Sequence, residues 1–72
     1  MAVTLYVKSG CVWCEKKREE LRARGAEVRE IDVGARPEVI PELLKLTRGR
    51  RVVPVVVDGA RIEIAPEGGS AV

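Results

Sequence analysis

The chain has 72 residues, enough for one compact domain over residues 1–72 and too few for two. Two cysteines and no histidine exclude a disulfide framework and leave no self-contained four-ligand zinc site. A net charge of +2 creates no polyanion-binding field, and one Trp with one Tyr makes no stacking platform for single-stranded nucleic acid.

A domain of this size hides only about 60% of the surface its unfolded chain exposes, so its core is thin. With 46% hydrophobic and 33% charged residues, the composition is that of a folded, soluble chain. The lack of Asn, Gln and Phe and the excess of Arg over Lys fit a thermophilic source or a GC-rich genome equally. The N-terminus carries no basic, apolar secretory pattern, and the longest apolar run, residues 52–57, falls far below the ~20 residues that span a bilayer. The expected setting is cytoplasmic, away from membranes, with both cysteines reduced at rest.

Val3, Leu5 and Val7 alternate with Thr4 and Tyr6 and predict a first strand, which Lys8-Ser9-Gly10 ends as a loop. Residues 12–24 are rich in helix formers, with Lys16/Glu20 and Glu20/Arg24 one turn apart, and Gly25 stands at the C′ position. The apolar face of that helix is narrow, essentially Cys14 and Leu21. Val28, Ile31 and Val33 mark a second strand, and Pro37 suits the first turn of a second helix. Because Pro41 conflicts with a continuing ladder, the regular part of that helix is expected to begin there, carrying Leu43, Leu44 and Leu46 and ending near Gly49. Residues 52–57 read as one apolar strand at a central sheet position. Asp58-Gly59 is a hairpin signal before Ile62 and Ile64, and Gly68-Gly69-Ser70 reads as a flexible end. The order β-α-β-α-β-β predicts an α/β fold with a partly parallel, four-stranded mixed sheet.

Cys11-Val12-Trp13-Cys14 is the informative motif, because it falls between the first strand and the first helix. Unpaired backbone N–H groups and the positive end of the helix dipole favour an anion there, so the Cys11 thiolate is expected to be stabilised. Lys8 adds a positive charge nearby. Cys11, at the exposed tip, is the expected attacker, and Cys14, one turn inward, the resolver. Spaced three apart on a helix, the two Cβ atoms lie about 5–6 Å apart, close enough to open and close an S–S bond by small rotations. A structural bridge across so short a loop stabilises by only about 2 kcal/mol, which makes it a poor reason for the pair. A metal or iron–sulfur site through Cys11 needs ligands from a second subunit or a bound thiol.

The segments Leu5-Tyr-Val-Lys-Ser-Gly-Cys-Val-Trp-Cys14, Glu30-Ile-Asp-Val33 and Val53-Pro54 resemble the glutaredoxins of the thioredoxin-like superfamily, and the likeness runs through almost the whole chain. The resemblance implies a minimal thioredoxin/glutaredoxin-like fold, with a cis-proline at Pro54 facing Cys11 and Cys14. It implies that Lys8, Trp13, the Val53 backbone, Pro54 and Gly68-Gly69-Ser70 bind the substrate, with Val53 pairing to it as an added strand. Val12 resembles the corresponding residue of redoxins that reduce ribonucleotide reductase. Ala71 stands where glutaredoxins carry an Asp for the glutathione carboxylate, and the usual C-terminal helix is missing. In this the chain is similar to a short glutaredoxin-like group related to bacterial selenoproteins with a UxxC-type site.

The expected function is thiol–disulfide exchange on protein disulfides or glutathione mixed disulfides, with no bound cofactor or metal. Glutathione is a candidate co-substrate, and either glutathione or a thioredoxin-reductase-type flavoenzyme is the expected electron donor. The alternative is a non-enzymatic dimer that holds a metal or iron–sulfur cluster through Cys11. Loss of the last helix leaves a sheet face that is either polar or covered by a second copy, and the reading favours a homodimer. Lys45, Arg48, Arg50 and Arg51 either steer anionic substrates or form a solvated helix end.

Overall fold

A computed structural model describes residues 2–72. The elements are β1 (Ala2–Val7), α1 (Val12–Ala23), β2 (Glu27–Asp32), a 3-10 turn (Pro37–Val39), α2 (Ile40–Thr47), β3 (Val52–Val53), β4 (Val55–Asp58), β5 (Arg61–Ile64) and β6 (Ser70–Ala71). The main sheet has the order β2-β1-β4-β5. Its parallel portion is confined to β1 and β2, in register from Ala2↔Glu27 to Val7↔Asp32, while β4 runs antiparallel to both β1 and β5. This is the mixed α/β sheet expected from the order of elements. Among the described residues no helix follows β5, and none is long and apolar enough to cross a membrane.

Local chemistry explains the boundaries. Cys11 has extended dihedrals and caps α1, whose other end passes through Arg24 to Gly25 at φ +80°, a conformation that a side chain disfavours. Pro37 opens the 3-10 turn, and Pro41 sits in the first turn of α2, where its missing N–H has no intrahelical partner to lose. The regular helix therefore starts at Ile40, as the proline predicted.

Helix α1 packs on the β1 face that carries Val3, Leu5 and Val7, with Arg18 and Arg22 reaching Glu30 of β2. Tyr6 points to the other face and donates its hydroxyl to Glu42 of α2 at 3.2 Å. Burial, with a smaller contribution from the Glu42 carboxylate, raises the Tyr6 pKa. Leu5, Leu43, Val33, Val53 and Val55 are the best-buried apolar side chains, so the core spans both faces of the sheet. The β5 residues on the α1 face are Arg61 and Glu63, which pair with each other at 3.5 Å. That face of the edge strand is polar.

Two expectations change. Residues 52–57 do not form one strand: the Val53–Pro54 peptide is cis, and proline has no N–H to continue a ladder. The run divides into β4, inside the main sheet, and β3, which leaves it to pair antiparallel with β6 in a second, two-stranded sheet. The buried face of α1 is also wider than Cys14 and Leu21, because Lys17 lies between them at 4% exposure.

Candidate active site

Cys11 and Cys14 are free thiols at the N-terminus of α1. Cys11 accepts a hydrogen bond from the Cys14 backbone N–H at 3.1 Å on its sulfur, while its carbonyl accepts from Glu15 N–H at 3.2 Å. The sulfur thus performs the capping that a Ser or Asp oxygen performs elsewhere. Cys11 is not at an exposed tip. Each cysteine is 1% exposed, so reach from solvent does not distinguish them.

Electrostatics does. Burial pushes the Cys11 thiol up, but donors overcome it: the Cys14 thiol, the Ser70 hydroxyl and the backbone N–H groups of Cys14 and Trp13 bring its pKa below the ordinary value. Burial also pushes Cys14 up, and there the hydrogen bond to Cys11 and the Cys11 charge add to it, taking the pKa to about 12 despite the Lys8 backbone and Arg18. One thiol is prepared as an anion and its neighbour as the proton that stabilises it.

Among the other expected site residues, Ser70 lowers the Cys11 pKa and pairs with Val53 in the second sheet. The Lys8 ammonium donates to the Ala71 carbonyl at 2.7 Å. Trp13 is 37% exposed, with Lys16 Nζ 4.9 Å from its ring centroid. The ring also lies against Gly68, where a Cβ would come within 2.9 Å of Trp13 Cε2. At Gly69 a Cβ would collide with the Val53 carbonyl oxygen, so the glycine pair is there for close approach rather than flexibility. Val53 and Pro54 are fully buried.

The Val53 edge is not open. Val72 N–H donates to the Arg51 carbonyl at 3.1 Å, and the register pairs Val52 with Ala71 and Val53 with Ser70. Hydrogen-bonded and non-bonded pairs alternate along an antiparallel ladder, which puts Val53 and Ser70 in the bonded class, with both backbone bonds exchanged. The chain therefore occupies the strand position that the sequence reserved for substrate. Of the basic cluster, Arg51 donates its Nε to the Val72 carbonyl at 2.8 Å, and Lys45, Arg48 and Arg50 are exposed.

Sequence reasoning passed over Lys17 and Glu67. Lys17 Nζ bonds Glu67 at 2.6 Å and Glu20 at 2.9 Å. Burial pushes the lysine pKa down, but its hydrogen bonds to Glu67 and Glu20 outweigh that and raise it. Glu20 is the i+3 partner of a helical lysine and was legible; Glu67 lies fifty residues away in sequence and was not.

A family model for glutaredoxins matches residues 3–62. The Gene 56 protein of Mycobacterium phage L5 is 34% identical over 56 residues, which are 78% of this chain and 54% of that protein. The chain thus spans about half the length of that curated relative. Among solved structures, the glutaredoxin-like NrdH-redoxin from Escherichia coli, a protein with a thioredoxin-like activity profile, superposes with a TM-score of 0.77. It is 29% identical, and the match covers 96% of this chain and 83% of that one. The family match includes both cysteines, the helix that carries them and the cis-proline Pro54: the chain belongs to the glutaredoxin family.

Proposed function

We propose that the protein is a dithiol thiol–disulfide oxidoreductase. The observation that carries this reading is the opposed poise of two thiols in one helical turn, with the Cys14 N–H 3.1 Å from Cys11 Sγ and the two pKa values pushed apart. The glutaredoxin match and the likeness to NrdH-redoxin support it.

The Cys11 thiolate attacks one sulfur of a substrate disulfide. A Cys11–substrate disulfide forms as the substrate S–S bond breaks, and the other substrate sulfur leaves as a thiolate and takes up a proton. This step changes Cys14. Burial remains, but the Cys11 charge and the hydrogen bond to it, two of the causes that hold the Cys14 proton, disappear. Cys14 then loses its proton more readily, attacks Cys11 Sγ and releases the second substrate thiolate. The product is a Cys11–Cys14 disulfide, which two electrons and two protons from glutathione or a flavoenzyme reductase restore. Protein disulfides are the favoured substrates. Ala71 offers no carboxylate for glutathione, and Ser70 spends its hydroxyl on Cys11.

The test is insulin reduction with dithiothreitol as donor. Cys11→Ser is expected to abolish turnover, and Cys14→Ser to accumulate a mixed disulfide visible by intact mass. Retained turnover in Cys11→Ser would overturn the reading.

A further inference from the structure

We infer that residues 67–72 form an internal strap that occupies the substrate's strand position on Val53, so that Cys11 reacts only when the strap lifts. The inference rests on the reading of Cys11 as the attacking thiol, and it goes further by assigning a part of the chain that competes with substrate.

The strap contacts every wall of the site. Gly68 lies on the Trp13 ring, and Gly69 approaches the Val53 carbonyl too closely for a side chain. Ser70 takes the Val53 backbone bonds, and its hydroxyl is among the groups that lower the Cys11 pKa. Ala71 is held by Lys8 at 2.7 Å, and Val72 by Arg51 at 2.8 Å. At the other end, Glu67 is tied to the buried Lys17 at 2.6 Å.

The strap is also built to leave. Between Glu67 and Val72 it has no large side chain, and its ladder is two residue pairs long. Glu67 is half exposed, so water takes over its carboxylate once Lys17 releases it. Local openings of this kind need far less free energy than unfolding of a core strand. Lys17 and Glu67 thereby act as positioning residues: they set how often Cys11 is uncovered without touching it.

The experiment follows iodoacetamide alkylation of Cys11 against pH, resolved by mass spectrometry. The plateau rate reports access, and the midpoint reports the thiol pKa. Gly69→Ala, whose Cβ drives the strap off Val53, is expected to raise the plateau about tenfold, the order expected for losing a pair of modest net hydrogen bonds. Its midpoint moves up as the Ser70 hydroxyl departs. Ser70→Ala is expected to move the midpoint up and, because the lost bond held the strap over the thiolate, to raise the plateau as well, and Glu67→Gln to raise the plateau alone by a smaller factor. A folded Gly69→Ala protein with the wild-type plateau would overturn the strap.

A second measurement holds if Gly69→Ala fails to fold. In a chain carrying Ser70→Cys and Cys14→Ser, diamide is expected to join Cys11 to the introduced thiol within one molecule, the oxidant taking up the two electrons and two protons released. Only intermolecular disulfides or unreacted thiols would contradict the contact. Neither measurement requires turnover, so failure here is distinct from failure of the oxidoreductase reading, which Cys11→Ser tests.

Discussion

The two sheets of this protein differ as scaffold and moving part. In the four-stranded sheet, β1 is flanked on both sides, six residues in register with β2 and three with β4, and Leu5 and Val55 are fully buried. The two-stranded sheet consists of two pairs, Val52↔Ala71 and Val53↔Ser70, held at its margins by Lys8, Arg51 and the Lys17–Glu67 ion pair. Cys11 lies between them. Its capping bond comes from α1 on the main sheet, and its cover from the strap. The difference teaches that one cysteine can be permanently poised and only intermittently available.

The comparison is broken most forcefully from the scaffold side. Leu5→Ala removes a fully buried side chain from a thin core and is expected to cost about 2–5 kcal/mol. Urea unfolding should show the loss, with a parallel rise in Cys11 alkylation through global unfolding. A cost below 1 kcal/mol would place the core elsewhere.

Hydrogen exchange sharpens the same contrast without a mutation. The amides of Val53 and Ser70 are expected to exchange by local opening, at least about tenfold faster than those of Leu5 and Val56, which wait for larger fluctuations. Equal protection in both sheets would mean that the strap is as permanent as the scaffold.

A signed pH dependence follows from the thiols. The folded Cys11 pKa is depressed, so its contribution to stability is present above the unfolded cysteine pKa and is lost as pH falls through the folded one. The folded Cys14 pKa is raised to about 12, so its contribution is present below the unfolded pKa and is lost as pH rises towards that value. Relative to a chain carrying Cys11→Ser and Cys14→Ser, stability should rise from acid to the ordinary thiol range and fall beyond it. Urea midpoints measured for both chains across that range test the shape, and a difference independent of pH would contradict both shifts.

The smallest expected effect lies at the latch. Lys17→Met replaces a buried cation with an apolar side chain of similar length and leaves the half-exposed Glu67 to water, so stability should change by less than about 1 kcal/mol. Cys11 alkylation should nevertheless accelerate at its plateau. A large loss of stability would make the ion pair structural rather than a latch.

The scaffold was legible in the sequence because its signals are local. Alternation in β1, Gly25 after α1 and Pro41 at the head of α2 each fix a boundary through one residue's own conformational preference. The chemistry of Cys11 was legible for the same reason, since a helix N-terminus stabilises an anion wherever it occurs. Pro54 also signals a broken ladder, which the apolar run of residues 52–57 conceals. The strap was illegible because Gly68-Gly69-Ser70 has the composition of a loose end, and close approach to Trp13 and Val53 is a property of partners far away in sequence. The partners of Lys17 and Lys8 were hidden likewise: only tertiary packing supplies the Glu67 carboxylate and the Ala71 carbonyl.

The central claim is that Cys11 is the poised nucleophile and Cys14 its protonated partner. Site-resolved alkylation of the reduced wild-type protein against pH, with the same chain in denaturant as reference, tests it most directly. Cys11 is expected to titrate below its denatured midpoint and Cys14 to stay unmodified well above its own. Coincident midpoints for the two cysteines, or a Cys14 that labels first, would contradict the account.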